Sequence, residues 1–226
     1  MIDDPHYLGH RDRARDKFLA TGGEGMADYE ILELLLFIAI PRRDVKPLAK
    51  ELIEHFGSFG SVLSAPVESL EHIPGLGRTA IAAIKTVTAA STRLARERVV
   101  KRPILASWSS LLDYIRVSMG FESVEQFRIL FLNRKNMLIA DEVQQRGTVD
   151  HTPAYPREVV RRALELGATA IILVHNHPTG DVTPSRDDIE MTKRIIKAAE
   201  AVGITVIDHL VVGRGDIASF KDLTLL

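Results

Sequence analysis

The sequence predicts an α+β protein of two domains, an all-helical one over residues 1–100 and an α/β one over residues 104–226. Three observations carry that expectation. No strand pattern occurs before Pro103, strands and helices alternate after it, and between Val99 and Pro103 a basic helix end runs into a proline that opens an extended segment. With 46% hydrophobic and 26% charged side chains among 226 residues, the chain has the composition of a folded globular protein rather than a disordered one.

The first clear element is a helix from Asp28 to Ile40. Its apolar positions, Ile31, Leu32, Leu34, Leu35, Leu36 and Ile38, cover more of the circumference than a surface stripe, which predicts a buried central helix stopped by Pro41. A second helix is expected from Asp44, as N-cap, to His55, with Val45, Leu48, Ala49, Leu52 and Ile53 on one face and Gly57 as the stop. A third runs from about Leu76 to Arg98, a stretch free of glycine and proline after Arg78.

In the second half, Ser107 or Ser109 can cap a helix reaching Met119. Phe127–Leu132 and Asn136–Val143 read as a strand hairpin around Asn133, Arg134 and Lys135. A helix over Pro156–Leu166 precedes an apolar strand, Thr169–His175, and a polar loop leads to a long helix from Ser185 to Val202. Ile204–Ile207 and His209–Val212 are expected as two late strands.

Composition excludes several function classes. No cysteine is present, which removes disulfides, thiol nucleophiles, iron–sulfur clusters and cysteine-ligated zinc fingers. Any metal must be held by nitrogen and oxygen. The charged stretch Met1–Phe18 does not read as a signal peptide. The run Ile31–Ile40 contains Glu33 and is far short of the roughly 20 apolar residues of a membrane span. A cytoplasmic protein without a membrane partner is expected.

The chemistry concentrates in His175–Asp188, which reads His-Asn-His-Pro-Thr-Gly-Asp-Val-Thr-Pro-Ser-Arg-Asp-Asp. In extended backbone His175 and His177 leave the same face of a strand while Asn176 points away. Neutral imidazoles suit zinc, and a catalytic site wants a third ligand and one open position. Asp187 and Asp188 both lie in the first turn of the following helix, and Pro178, Gly180 and Pro184 turn the chain back toward the strand end. His6, His10, His55, His72 and His151 have no partner at metal spacing.

The spacing His-x-His-x7-Ser-x2-Asp of His175, His177, Ser185 and Asp188 resembles the JAMM motif of MPN-domain metalloproteases, and HNHPTGD followed by TPSRDD resembles the RadC family. YPREVVRRALEL from Tyr155, DHLVVG from Asp208 and the amino-terminal helices extend the resemblance over essentially the whole chain. It implies an MPN/JAMM (cytidine-deaminase-like) α/β domain with a mixed sheet, and it makes His175, His177 and Asp188 the ligands of Zn2+. Such enzymes use an upstream glutamate as general base, for which Glu142 is the best match, since Glu158 and Glu165 fall on the intervening helix. Ser185 either hydrogen-bonds the developing oxyanion or the zinc water, as in the family, or simply caps the helix. His209 reads as a structural residue, with a bond to a ligand as its functional alternative.

Ile73-Pro74-Gly75-Leu76-Gly77 before a long helix resembles the hairpin of a helix-hairpin-helix DNA-binding motif, with Leu48–Ala65 as a degenerate first copy. Gly75 and Gly77 would offer backbone amides to a phosphate, with Arg78 and Lys85 beside them. Residues 72–103 carry seven basic side chains and one acid, Glu97, whereas residues 1–71 sum to -5, so the overall net charge of -1 hides a +6 segment. Thr79 stands where a lysine would strengthen the contact, and the same motif also serves as a protein–protein module. The expectation is therefore a zinc-dependent hydrolase cleaving a peptide or isopeptide amide in an unidentified protein or peptide, tethered to a domain that binds DNA without sequence preference. The alternative is a DNA repair or recombination protein with a structural metal or nuclease activity. A metal-free scaffold is disfavoured by the presence of the ligands.

Overall fold

The computed structural model describes residues 9–147 and 155–226. Its contacts divide the chain into one unit ending at Ala90 and another beginning at Ser91.

The first unit is helical: α1 (His10–Thr21), α2 (Asp28–Ala39), α3 (Lys46–Phe56), α4 (Phe59–Ser64), α5 (Val67–Glu71) and the first part of α6 (Arg78–Val100). Leu32, Leu36, Val45, Leu52, Leu70 and Ile84 form its core. The sequence did not announce α1, which buries no residue and docks through polar groups instead. His10 Nε2 meets the buried Glu33 carboxylate at 2.9 Å, and the Arg11 guanidinium lies over the Phe37 ring while donating to the carbonyls of Ile40 and Arg43. That arginine caps the exposed end of α2. The expected all-round burial of α2 is corrected, because Ile38 is 80% exposed. Asp44 is not the N-cap of α3. It lies one residue earlier, Val45 takes the cap position, and Asp44 Oδ1 accepts from the Lys46 amide at 3.0 Å. Gly57 ends α3 with φ 87°, a conformation that favours glycine.

In the second unit the remainder of α6 contributes Val99 to a core with Ile104, Leu111 and Ile115. Then follow α7 (Trp108–Met119), β1 (Gln126–Leu132), β2 (Leu138–Arg146), α8 (Pro156–Glu165), β3 (Ala170–Asn176), α9 (Arg186–Glu200), β4 (Thr205–Val212) and β5 (Ile217–Ser219). Ser107 precedes α7 as expected, but its hydroxyl donates back to Pro103 O rather than capping. The sheet order is β2-β1-β3-β4-β5, with β3 and β4 parallel and every other pair antiparallel. Alternate residues of β1 and β3 feed two cores, Leu130, Ile172 and Val174 on the α7 side and Phe127, Ile129 and Leu173 on the α8/α9 side. Being covered on both faces explains why β3 reads as a continuous apolar run.

The two late strands expected around Asp208 are one. Register slips between Ile171 and Ile172 against β4, and the Asp208 carboxylate is buried, accepting from the His209 amide at 2.7 Å, the Lys221 amide at 3.1 Å and the Ser219 hydroxyl at 2.6 Å. A charged residue that looked like a break is a clamp holding β5 to β4. No helix among the described residues is long and apolar enough to cross a membrane.

Candidate metal centre

The site forms where β3 ends and α9 begins. His175 is the last but one residue of β3, and His177 continues the strand by donating its amide to Val212 O at 2.8 Å. Both imidazoles emerge on the α8/α9 face, as the alternation of a strand requires. Asp188 returns to them because Ser185 caps α9: the Ser185 hydroxyl accepts from the Asp188 amide, and the Asp188 carboxylate accepts from the Ser185 amide at 2.8 Å and hydroxyl at 2.6 Å. This capping box satisfies helix-end donors and orients a carboxylate at the same time.

His175 Nε2 lies 3.0 Å from His177 Nε2 and 3.4 Å from Asp188 Oδ1, while His177 Nε2 lies 3.7 Å from Asp188 Oδ2. One ligand atom from each side chain lies within 4.8 Å of the others, and two imidazole nitrogens with one carboxylate oxygen are donors that zinc takes with one position left over. It is the one group of three such side chains that could hold a metal ion among the described residues. His6 and His151 lie outside those residues.

Both imidazoles are held from behind. His177 Nδ1 donates to Asp181 O at 2.6 Å, and His175 Nδ1 meets His209 Nε2 at 2.8 Å. A hydrogen bond to Asp188 raises the pKa of His177 above its ordinary value, aided by Asp181 O and by the Asp188 and Glu125 charges against partial burial. Burial works to raise the pKa of Asp188, but the flanking imidazoles and the Ser185 hydroxyl outweigh it and hold the carboxylate well below the usual range. Burial also pushes His209 well below the ordinary histidine value.

Glu142 is not brought to this group. It sits within β2, two strands and so roughly 9–10 Å across the sheet from β3. Its two oxygens accept from Arg162 Nε at 2.8 Å and Nη2 at 2.6 Å, beside a cavity of about 340 Å³ that also touches Tyr155, Glu158 and Arg161. Hydrogen bonding by Arg162 holds its carboxylate below the usual range. The carboxylate that does face the site is Glu125. Phe127 pairs with His175 in antiparallel register, so two residues further out Glu125 stands opposite His177, on the same face. Asn176, pointing to the other side, holds this approach in place: its Oδ1 accepts from the Gln126 amide at 2.9 Å and its Nδ2 donates to Val124 O at 3.2 Å. Sequence reasoning missed Glu125 because only the β1–β3 register places it. Its position immediately before an apolar strand was the one available signal.

In the first unit, Gly75, Gly77 and Arg78 are exposed at the start of α6, and Gly75 has φ 81°. Arg43 Nη2 donates to Gly75 O at 3.0 Å, which puts a cation on the hairpin that Thr79 does not supply. Lys85 is directed elsewhere: its ammonium donates to Leu63 O at 3.0 Å, where Thr88 also donates, closing the end of α4. The Lys85 side chain, expected beside a DNA phosphate, thus also serves the end of α4.

A helical amino-terminal region followed by a mixed five-stranded sheet with a His-x-His strand end and an aspartate in the next helix defines a protein with a JAB/MPN-like domain. Comparison with known proteins agrees. The RadC-like JAB domain matches residues 105–225 and the UPF0758 N-terminal family matches residues 6–82. A UPF0758 protein of Rhodobacter capsulatus is 58% identical over 212 residues, covering 94% of this chain and 99% of that relative. The chain belongs to the RadC family.

Proposed function

We propose that this protein is a zinc-dependent hydrolase that cleaves a peptide or isopeptide amide, with His175, His177 and Asp188 holding the metal and Glu125 acting as general base. The observation that carries the reading is the convergence of two imidazole nitrogens and one carboxylate oxygen to within 4.8 Å of one another, with a carboxylate opposite His177 on the neighbouring strand. Zinc at such a site acidifies water and polarises a carbonyl. Glu125 takes the proton of the attacking water and passes it to the departing amine. Ser185 orients Asp188 through the capping box, and its hydroxyl reaches an oxyanion only by giving up that bond.

Purified protein is expected to hold about one zinc per chain, and His177→Ala to lose it while keeping its circular dichroism spectrum. Full zinc retention by that variant overturns the ligand assignment. Cleaved peptides, compared by proteomics between native cells carrying wild type and Glu125→Gln, report the substrate.

A second reading concerns the first unit. The exposed Gly75-Leu76-Gly77-Arg78 turn beside Arg43 favours a sequence-independent contact with a DNA phosphate. In that reading the protein acts in DNA repair or recombination, and nuclease assays on the same preparations separate phosphodiester from amide cleavage.

A further inference from the structure

Behind His175 stands a second, wholly buried histidine that the proposed reaction does not use. We propose that His209 and Thr192 are positioning residues that fix His175 in its Nδ1–H form, so that the Nε2 lone pair is committed to the metal position. The inference rests on the metal reading above and adds what makes His175 a ligand.

Thr192 Oγ1 lies 2.6 Å from Asp188 O and 2.6 Å from His209 Nδ1. A carbonyl oxygen only accepts, so the single hydroxyl proton of Thr192 goes to Asp188. The Thr192 oxygen then accepts, and the proton between it and His209 belongs to Nδ1. The ring of His209 is fully enclosed, with Thr192 at Nδ1 and His175 at Nε2, and a neutral imidazole that donates from one nitrogen accepts at the other. Its Nε2 is therefore a lone pair, and at 2.8 Å His175 Nδ1 must donate to it. His175 Nε2, 3.0 Å from His177 Nε2, is left as a lone pair facing the site.

Both ends of this chain are ligands, Asp188 through its own carbonyl and His175 through its ring. The relay is rigid because His209 cannot turn. The Phe220 ring lies 4.4 Å from it at 31°, Phe127 approaches edge-on at 6.0 Å and 79°, and Asp208 Oδ1 holds its amide. Thr192 and His175 are buried with it, so water cannot substitute for a lost partner.

Two measurements on the full chain test this. In metal-free protein, long-range 1H–15N spectra of histidine-labelled material should show both His175 and His209 carrying their proton on Nδ1. Competition against a colorimetric zinc chelator should show His209→Phe, which keeps the aromatic packing but removes the acceptor, binding zinc about 10–100-fold more weakly. Thr192→Val should move in the same direction, while Thr192→Ser and His209→Gln, which restore a donor and acceptor, should return to within a few-fold of wild type. Should His209→Phe fail to fold, the Thr192 pair decides. An Nε2–H form of His175 in the metal-free wild type, or wild-type zinc affinity in both His209→Phe and Thr192→Val, overturns the proposal. A wild type that binds no zinc sinks the metal reading instead, and the spectra still decide the relay.

Discussion

Gly213→Ala offers a way to move the metal loop without touching a ligand. Gly213 follows β4 and packs against the turn that carries His177. A Cβ there would lie 2.5 Å from Gly180 O, 2.8 Å from Val182 Cγ1 and 3.1 Å from Gly180 C. The nearest obstacle is backbone, so no rotamer change relieves it, and reaching even the tight edge of ordinary contact at 3.4 Å needs about 0.9 Å of movement. The Gly180 amide bonds His177 O at 3.0 Å, and Asp181 O receives His177 Nδ1, so this displacement is delivered to a ligand. Functional constellations tolerate about 0.5 Å. Overpacking of this kind costs about 1–3 kcal/mol, which at roughly 2–4 °C per kcal/mol lowers the melting temperature of a chain this size by roughly 2–12 °C. Gly215→Ala is the control, since nothing lies within 4 Å of its added Cβ, and it should stay within about 0.5 kcal/mol of wild type. Thermal melts of the metal-free proteins read the strain, and zinc competition reads the loop. If Gly213→Ala melts with Gly215→Ala and binds zinc equally well, the coupling of this turn to His177 is refuted.

Other expectations follow from the same geometry. Glu125→Gln should reduce amide hydrolysis by about 10²–10⁴-fold, as loss of a general base does, whereas Glu142→Gln should leave turnover within a few-fold; a loss of that size in Glu142→Gln with Glu125→Gln near wild type would return the base role to Glu142. Arg162→Met should destabilise the protein at neutral pH, and the gap to wild type in urea midpoint should narrow on acidification. The sign follows because Glu142 has a lowered folded pKa, so its contribution is present above the unfolded value and is lost as pH falls through the folded one. A gap that widens in acid contradicts that pairing. If the first unit binds DNA, Arg78→Ala should lower the salt slope of binding by about 1, and Lys85→Ala should lower the melting temperature without changing the slope.

Much of the architecture is local and was readable as such. The helical first half, the hairpin of β1 and β2, and the apolar strand before a long helix all follow from period-3.6 and period-2 patterns with glycine and proline punctuation. The candidate metal-binding group is legible for the same reason, because His175, His177, Ser185 and Asp188 lie within one strand end, one loop and one helix start. Where local pattern misled, a tertiary partner was responsible. Arg11 and Glu33 hold a helix with no apolar stripe, and Asp208 is tolerated inside β4 because three donors converge on it.

Chain order and residue type were enough to point to a group of two imidazoles and a carboxylate at the end of β3 that could hold a metal, since these residues are close in sequence and the chain has no cysteine. They were not enough to choose the carboxylate that faces it or the histidine that stands behind it. Glu125 reaches His177 through the register of β1 on β3, and His209 reaches His175 through the register of β4 on β3. A register is decided by which faces bury and how neighbouring strands slip past one another, a property of the assembled sheet that no single strand carries.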